Sequence, residues 1–363
     1  MKQKEYDLVI ITHLPAFYKT NLYNEVSKKT RLFVVFIGYS SSIREEDFTG
    51  DLYKFDYAII HKGRFEQRSK FKSCYKVIRL LLDIKYSFLI VNGWDLPEFW
   101  LSIIISGGQK GVAMESSIYE SKVYGFKRLV KRVFLSFLDF ALPSGVPHAK
   151  LLNFLNFKKP LSIVGGVGLP VMTERHIINK ALTVRRFLYV GRLAAEKNLR
   201  MLIDVFNGLQ DYQLTIIGTG PIEAELRERA NPNIKFTGHV NNVDMSEKYR
   251  QEQVLILPSL SEPWGLVIEE ALQNGLPVIV SNTVGSRVDL VEKYGVGVVM
   301  TENSHDNLLN CIHKIVAPEF YNVLLDNTQK IDFENIYKNQ IESYTLQWLI
   351  DYRESNTNKH NHQ

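Results

Sequence analysis

The sequence predicts an α/β protein of two domains in series, each a parallel sheet wound with helices on both faces. Short β-branched runs such as Phe187–Val190 and Leu214–Ile217 alternate with helix-length segments, as in buried parallel strands joined by helical crossovers. The length of 363 residues is enough for two domains. Ligands of such folds bind outside the carboxyl ends of the strands, so we expect the two domains to face a shared cleft.

Six strands are expected in the first half of the chain. They are predicted at Leu8–Thr12, Phe33–Ile37, Tyr57–Ile60, Phe88–Val91, Val112–Met114 and Phe140–Leu142. Helices are predicted at Tyr18–Lys28, Lys70–Leu82, Pro97–Ser106 and Gly125–Leu138. A Gly-rich stretch, Gly165–Pro170, closes this domain, which we place at residues 1–170, and the polar segment 171–186 is the predicted linker.

Strands and helices alternate more clearly in the second half of the sequence, which is predicted to form a domain over residues 187–332. Its strands are expected at Phe187–Val190, Leu214–Ile217, Ile234–Thr237, Val254–Leu257, Pro277–Val280 and Gly297–Met300. One long helix is predicted over 333–353, with Ile336, Ile341, Tyr344, Trp348 and Leu349 as its apolar face. We expect this helix to return to the N-terminal domain. The polar tail 354–363 is expected to be disordered.

Composition is that of an ordinary soluble globular protein, with 45% hydrophobic and 23% charged residues. Cys74 and Cys311 have no Cys or His at zinc-site spacing, so we expect reduced structural cysteines and a cytosolic location. The N-terminus lacks the apolar core of a signal peptide, and no apolar run reaches the roughly 20 residues of a membrane span.

Charge is unevenly distributed along the chain. Residues 1–170 hold 25 Lys and Arg against 15 Asp and Glu, whereas the remainder holds 19 against 24. Two basic segments, 62–79 and 122–132, lie in the first half, and an apolar stripe from Phe126 to Phe137 runs beside the second. This pattern favours association with an anionic lipid surface. The alternative is a core-packed helix with a solvated basic face. Nucleic-acid binding is disfavoured because no basic motif is interleaved with aromatic residues.

The segment from Pro258 to Ala271 is the most informative part of the chain. It places Glu262 in a loop and Glu270 inside the helix that follows, with Gly265 between them. The free N–H groups of a first helical turn, near Trp264, Gly265 and Leu266, favour an anion. Carboxylates accept hydrogen bonds from hydroxyl groups, so the pattern suits a phosphorylated sugar. Of the adjacent acids, spacing selects Glu270 as the ligand and leaves Glu269 exposed.

Two further loops follow predicted strands. Arg192 and Lys197 come after the first strand of the second domain and could hold a diphosphate. The turn Gly218–Pro221 permits close backbone approach, but Glu223 stands where the dinucleotide fingerprint needs its third glycine. Hydride transfer is therefore disfavoured. The chain also lacks a P-loop and any Asp-x-Asp pair, so a P-loop nucleotidase and an enzyme with a metal bridged by such a pair are disfavoured.

Five spaced motifs together resemble the donor domain of glycosyltransferase family 4, whose members are retaining sugar transferases with the GT-B fold. The resemblance runs from Phe187 to Val299 and is carried by Gly191-Arg-Leu-x3-Lys197, Gly218-Thr-Gly-Pro221, Phe236-Thr-Gly-His-Val240, Pro258-Ser-x2-Glu262-x-Trp-Gly-Leu-x3-Glu270-Ala271 and Gly275-x-Pro-Val-Ile279. The first half is a weaker match: Leu14–Glu25 and Asn92-Gly-Trp94 resemble members that build bacterial surface polysaccharides such as the O-antigen of lipopolysaccharide.

The resemblance implies roles for single residues. Arg192 and Lys197 would bind the donor diphosphate, Glu262 the transferred sugar, and Glu270 the ribose. Backbone N–H groups near Gly265 and Leu266 would meet the distal phosphate. The segments Gly218–Pro221 (with Gly220) and Gly238–Val240 (with His239) would frame the nucleoside. Trp264 replaces the usual Phe and preserves its bulk. In the first domain, Pro15 in the loop Leu14–Tyr18 and Glu115 would face the same site, although Glu115 could equally cap a helix.

The implied activity is a hexosyltransferase that moves a sugar with retention, without a metal or cofactor. The donor would be a UDP-sugar in preference to a GDP-sugar, and the acceptor a lipid-linked saccharide at the cytoplasmic face of the inner membrane. Two alternatives stay open: a sugar-nucleotide epimerase on the same fold, and a catalytically inactive partner subunit. The intact Arg192, Lys197, Glu262 and Glu270 argue against the second alternative.

Overall fold

The computed structural model describes residues 4–41, 49, 52–171 and 183–360. The chain divides into two compact units, the first formed by residues 1–169 with 334–363 and the second by residues 170–333. Most of the predicted linker, residues 172–182, lies outside the described residues. Each unit contains one six-stranded sheet in which all neighbouring strands are parallel.

The first unit has the strand order β3-β2-β1-β4-β5-β6. Its strands are β1 (Glu5–Thr12), β2 (Leu32–Ser40), β3 (Asp56–Arg64), β4 (Lys85–Val91), β5 (Gln109–Met114) and β6 (Phe140–Pro143). Its first five helices are α1 (Phe17–Val26), α2 (Lys70–Asp83), α3 (Pro97–Ile105), α4 (Gly125–Ser136) and α5 (Val146–Phe154). The central strand β1 is buried from Leu8 to Thr12 because helices cover both faces of the sheet.

The second unit repeats this arrangement with the order β12-β11-β10-β7-β8-β9. Its strands are β7 (Arg186–Val190), β8 (Gln213–Ile217), β9 (Ile234–Gly238), β10 (Val254–Leu257), β11 (Val278–Ser281) and β12 (Gly297–Met300). Its helices are α6 (Leu199–Asn207), α7 (Glu223–Arg229), α8 (Met245–Arg250), α9 (Leu266–Gln273), α10 (His305–Ile315) and α11 (Pro318–Thr328). All twelve predicted strands are present, most of them longer than predicted.

Both sheets reverse their winding direction at the centre. In the first unit the reversal falls between β1 and β4, and in the second between β7 and β10. The loops that leave two such neighbouring strands diverge to opposite sides and open a crevice at the carboxyl edge of the sheet, where ligands of these folds bind. The loops after β7 and β10 are those that contain Lys197 and Glu262.

The C-terminal segment returns to the first unit, as predicted, but it is not one helix. It forms α12 (Phe333–Thr345) and α13 (Gln347–His360), separated by Leu346 in the left-handed conformation at φ 59°. That conformation is unfavourable for a bulky residue. It is held here because the side chains of Leu346 and Leu349 are both buried. The predicted disorder from residue 354 is wrong as far as His360, because α13 continues to that residue. Residues 361–363 lie outside the described chain.

The Gly-rich stretch after β6 packs against α12. The backbone N–H of Gly168 donates to the buried Gln340 Oε1 at 3.1 Å. A Cβ on Gly166 would lie 2.2 Å from Gln340 Nε2, and a Cβ on Gly168 would lie 2.5 Å from the carbonyl oxygen of Tyr18. Only glycine permits these approaches, so this stretch holds the returning helix within the first unit.

Candidate functional site

The candidate site of the second unit begins where β7 and β10 end side by side. Phe187 pairs with Val254 and Leu188 with Leu255 in parallel register. The loops that follow are joined by a hydrogen bond from the Leu260 N–H to the Glu196 carbonyl at 2.8 Å. The predicted diphosphate loop and the predicted acidic loop therefore lie next to each other although more than 60 residues separate them in sequence.

Glycines allow the loop after β7 to lie against the loop after β8. Gly191 donates to the Ile217 carbonyl at 3.0 Å, and Leu193 donates to the Thr219 carbonyl at 2.8 Å. A Cβ on Gly218 would lie 2.0 Å from the carbonyl oxygen of Gly191, and one on Gly220 would lie 2.3 Å from that of Leu193. Glycine is therefore required at both positions by the close approach of backbone. Pro221 and His239 are exposed, and Val240 is half-buried.

Each of the two predicted cations of this loop is paired with a carboxylate. Arg192 Nη2 contacts Glu196 Oε1 at 2.5 Å, one helical turn along the chain. Lys197 Nζ contacts Glu262 Oε2 at 2.5 Å, and the two side chains are only 17% and 13% exposed. The Lys197–Glu262 pair thus joins the two loops at a position that retains access to solvent.

The backbone of the acidic loop is fixed on both sides of Glu262. The Glu262 carbonyl accepts from the Gly285 N–H at 2.9 Å, and the Trp264 carbonyl accepts from the Ser286 N–H at 3.1 Å. Gly265 is the N-cap of α9 and lies in the left-handed region at φ 90°, where a Cβ would lie 3.1 Å from the Leu257 side chain and 3.3 Å from that of Ile268. This conformation disfavours any residue with a side chain, and it directs the first N–H groups of α9 out of the loop.

The prediction that Glu269 is exposed is wrong. Glu269 is completely buried, and its Oε1 accepts a hydrogen bond from Trp264 Nε1 at 2.6 Å. Burial raises the pKa of this carboxyl to about 8, although the Trp264 hydrogen bond opposes the shift. Helical periodicity explains the error: Glu269 precedes the buried Leu272 by three positions and therefore lies on the face that α9 turns to the core. Trp264 therefore does more than preserve the bulk of the usual phenylalanine, because its indole N–H donates to Glu269.

We expect Trp264→Phe to destabilise the protein by about 1–3 kcal/mol, because phenylalanine fills the space but leaves buried Glu269 without its donor. The free energy of unfolding from urea titration measures the loss. The double variant Trp264→Phe, Glu269→Leu should recover most of it, since an apolar pair needs no hydrogen bond. A single variant as stable as the wild type would show that the indole contributes only its volume.

Glu270, the predicted ribose ligand, is held by a tyrosine that no sequence pattern selects. Tyr249 in α8 donates its hydroxyl to Glu270 Oε2 at 2.8 Å. Burial raises the pKa of Glu270, and the hydrogen bond from Tyr249 lowers it. The Glu270 carbonyl also accepts from Asn274 Nδ2 at 2.9 Å. One carboxylate oxygen of the half-buried Glu270 is therefore fixed, which orients the side chain.

The first unit has a corresponding cluster at the carboxyl ends of β1, β4 and β5. Glu115 does not cap a helix: its Oε1 contacts Lys19 Nζ at 2.6 Å and accepts from Asn92 Nδ2 at 3.2 Å. Burial lowers the pKa of Lys19, but attraction to Glu115, Tyr23 and Tyr18 together outweighs this effect, so the net pKa is raised. Lys19 was missed by sequence reasoning, although a cation on the apolar face of α1, with Leu22, Tyr23 and Val26, is a readable signal.

A second pair lies at the same edge of the first sheet. His13 Nε2 lies 2.8 Å from Asp95 Oδ2, with His13 directly after β1 and Asp95 in the loop after β4. The predicted site residue Pro15 is buried two positions beyond His13. Within the described residues, no group of three or more His, Cys, Asp and Glu side chains is placed to hold a metal ion.

Comparison with known proteins gives one family match. The model of the family described as "Glycosyl transferases group 1" matches residues 172–330, which include every predicted site residue of the second unit. Sulfoquinovosyl transferase SQD2 from Arabidopsis thaliana is 35% identical over 100 residues, 27% of this chain and 19% of that protein. The alignments with the first curated relatives thus span less than half of those proteins' length.

One curated relative aligns over most of the chain, and a solved structure shows the same fold. The O-antigen chain mannosyltransferase C of Escherichia coli is 23% identical over 322 residues, 84% of each chain. The crystal structure of Anabaena Alr3699/HepE in complex with UDP superposes with a TM-score of 0.69 at 13% identity, covering 96% of this chain and 100% of that one. The fold expected from the motifs, the GT-B type with two Rossmann-like units, is therefore confirmed.

Proposed function

We propose that this chain, whose residues 172–330 match the model of the family described as "Glycosyl transferases group 1", transfers a sugar from a nucleoside-diphosphate sugar to a saccharide acceptor. The observation that carries the proposal is the Lys197–Glu262 pair at 2.5 Å beside the first turn of α9. A cation, a carboxylate and free N–H groups lie together there, which are the groups that a sugar diphosphate requires.

In this proposal Arg192 and Lys197 bind the diphosphate and Glu262 binds hydroxyl groups of the sugar. Both cations are paired with acids in the free protein, so the donor phosphates replace or share those carboxylates. Glu270, oriented by Tyr249, accepts hydrogen bonds from the ribose. The backbone near Gly265 and Leu266 donates to the distal phosphate, and Gly218–Pro221 and His239–Val240 border the nucleoside.

We propose a retaining reaction without a metal ion. The bond between the anomeric carbon and the distal phosphate oxygen breaks, and its electron pair stays on that oxygen. The acceptor hydroxyl oxygen bonds to the same face of the carbon and passes its proton to the departing phosphate. Arg192, Lys197 and the α9 N-terminus stabilise the charge that develops on the leaving group. No cofactor is required in this scheme.

Glu262→Gln is the sharpest test of the site. The amide keeps the shape of the side chain but loses the charge that pairs with Lys197 and binds sugar hydroxyls, so we expect transfer to fall about 100-fold. Glu228→Gln, an exposed acid of the same unit, is the control and should transfer at the wild-type rate. Unchanged transfer in Glu262→Gln would remove this residue from the sugar site.

For the substrates, we propose a UDP-sugar donor in preference to a GDP-sugar, and a lipid-linked acceptor in the synthesis of a bacterial surface polysaccharide. Support comes from a structural neighbour solved with UDP and from a relative named for the O-antigen chain. The melting temperature of the protein is measured with each member of a panel of UDP- and GDP-sugars. The donor is the sugar that raises it, because a bound ligand stabilises the folded state. If none binds or reacts with any lipid acceptor offered, the proposal fails.

Two other functions would give different results in the same assays. A sugar-nucleotide epimerase would interconvert the donor without an acceptor, and an inactive partner subunit would neither transfer nor hydrolyse it. The paired acids and cations favour transfer, since an epimerase needs its own acid and base and an inactive subunit needs none of these groups.

Peripheral binding to the cytoplasmic face of the inner membrane is the last part of the proposal. None of the helices in the described ranges is both long enough and apolar enough to span a bilayer. Helix α4 exposes an apolar stripe, named here the α4 stripe, between its basic residues. The α4 stripe consists of Phe126, Leu129, Val133 and Phe137. An exposed apolar stripe beside Lys127, Arg128 and Arg132 suits an anionic bilayer.

Vesicle flotation checks this part. We expect the protein to float with vesicles that contain phosphatidylglycerol and to remain unbound with phosphatidylcholine alone. Leu129→Asp should reduce flotation sharply, whereas Val323→Asp, which is equally exposed at 56% in α11 of the second unit, should not. Equal flotation of the two variants would exclude the α4 stripe as the contact surface.

A further inference from the structure

A cavity of about 680 Å³ lies in the first unit between α2 and the beginning of the sheet. It is bordered by Lys4 and Tyr6 at the start of β1, by Phe33 at the start of β2, and by one face of α2 with Ile84. The strands run away from it, so it lies at the opposite edge of the sheet from Glu115 and His13. The eight residues of β1 put roughly 25 Å between the two edges.

The floor of this cavity is apolar. Tyr6 and Phe33 are buried and their ring centroids lie 5.0 Å apart, while Leu80 and Ile84 are partly buried against the same core. The Tyr6 hydroxyl turns away to donate to Asp56 Oδ2 at 2.6 Å. At the mouth, Phe71 and Tyr75 occupy successive turns of α2 and are 84% and 59% exposed. Together with the floor, these two rings form a contiguous apolar surface, and contiguous exposed apolar patches mark contacts with ligands, proteins or membranes.

The rim of the cavity is positively charged. Four cations border it against a single carboxylate, Asp83. Two of the cations are engaged, because Lys4 pairs with Asp56 at 3.1 Å and Lys76 donates to the Ile60 carbonyl at 3.1 Å. Lys72 and Arg79 form no ion pair with any residue in the described ranges, and they lie two turns apart on the face of α2 that borders the cavity. An anion at this rim would be attracted by charges that the protein itself leaves unneutralised.

We propose that this cavity binds an anionic lipid, with its acyl chain on Tyr6, Phe33, Leu80 and Ile84 and its phosphate between Lys72 and Arg79. An apolar floor below a basic rim matches a ligand that has a hydrocarbon chain and a negative head group. A sugar or nucleotide would leave most of its polar groups without partners on this floor, and inorganic phosphate would gain nothing from it. The site is separate from the α4 stripe and does not depend on sugar transfer.

Dodecyl phosphate below its micelle concentration is the probe, and isothermal titration calorimetry with the full chain is the measurement. We expect saturable binding of one molecule per chain. Arg79→Gln should weaken it about tenfold or more, since a charge-assisted hydrogen bond is lost. Phe71→Ala should also weaken binding, because the alkyl chain of dodecyl phosphate then loses its contact with the Phe71 ring at the mouth of the cavity. Both replaced side chains lie at the mouth of the cavity, and Phe71 is largely exposed, so the fold should be retained.

The α4 stripe provides matched controls. Arg132→Gln removes the same charge and Phe126→Ala removes a phenylalanine that is 77% exposed, each from a basic helix outside the cavity, so both should bind dodecyl phosphate as the wild type does. Equal affinity in Arg79→Gln and Arg132→Gln would overturn the proposal. So would equal competition by inorganic phosphate, which would indicate an anion site without a lipid chain.

A binding failure here leaves the proposed sugar transfer untouched, because transfer is assayed with donor and acceptor and reports on Lys197 and Glu262. Conversely, dodecyl phosphate binding in the Lys197→Gln variant should match the wild type even when transfer is lost. Vesicles that contain phosphatidylglycerol then test the bilayer as the source of the lipid. Arg79→Gln should reduce flotation in a background where Leu129→Asp has already removed the α4 stripe contact; no further reduction would indicate that the cavity takes only free lipid.

Discussion

The Lys197→Gln variant is expected to lose on the order of 100-fold in kcat/KM for sugar transfer, the loss that follows removal of one group stabilising a transition-state charge. Lys197 contributes in two ways: it provides a cation for the leaving diphosphate, and it neutralises the 13%-exposed Glu262. Glutamine is polar and only one atom shorter than lysine, but it supplies no charge. Steady-state kinetics with the identified donor measure the effect, and Lys330→Gln, an exposed lysine of the same unit, should behave as the wild type.

The double variant Lys197→Gln, Glu262→Gln separates the two contributions. If Lys197 acted only by balancing the charge of Glu262, its loss would cost nothing once Glu262 is neutral, and the double variant would transfer as fast as Glu262→Gln. If each residue contacts the donor, the double variant is slower than either single variant. A double variant as fast as Glu262→Gln would therefore contradict the assignment of Lys197 to the diphosphate. Lys197→Arg should retain part of the rate, because it keeps the charge at nearly the same place.

Stability is expected to fall as pH rises from about 4.5 to about 8, owing to Glu269. Burial raises the pKa of this carboxyl from 4.5 to about 8 in the folded state. The folded protein therefore binds the proton more tightly than the unfolded chain. The stabilisation is complete below the unfolded pKa and is lost as pH rises through the folded pKa, with a size of a few kcal/mol. Burial shifts the pKa of Glu270 and that of Glu252 in the same direction.

Glu269→Gln should remove this dependence, because an amide stays neutral and can still accept from Trp264 Nε1. We expect the variant to be more stable than the wild type at pH 8 and to show a flatter profile between pH 5 and pH 8. Urea unfolding at several pH values measures both, with Glu228→Gln as the exposed control. Parallel profiles for the wild type and Glu269→Gln would mean that Glu269 is not protonated in the folded state at pH 7.

Strand positions could be predicted from the sequence because each strand is a local run of β-branched and aromatic residues. β10 (Val254–Leu257) and β12 (Gly297–Met300) were predicted to the residue, and the four helices predicted in the first half match α1 to α4 to within a few residues. Helices α5, α10 and α11 were not predicted. The C-terminal helix was mispredicted because its apolar pattern continues across Leu346, and the left-handed turn there follows from packing of Leu346 and Leu349 and not from a local signal. Glu269 was predicted to be exposed because the spacing between Glu262 and Glu270 was given more weight than the helical period of the buried residues.

The sequence by itself determined the two α/β halves, the loops that follow β7, β8 and β10, and the glycines those loops require, because these depend on short-range pattern and steric rules. Only the tertiary structure decided the partners. It paired Lys197 with Glu262 across 65 positions, gave Glu270 its tyrosine and Glu269 its tryptophan, and placed Lys19 against Glu115. Such pairings depend on which strands become neighbours in the sheet, and that choice is made by burial of the whole core.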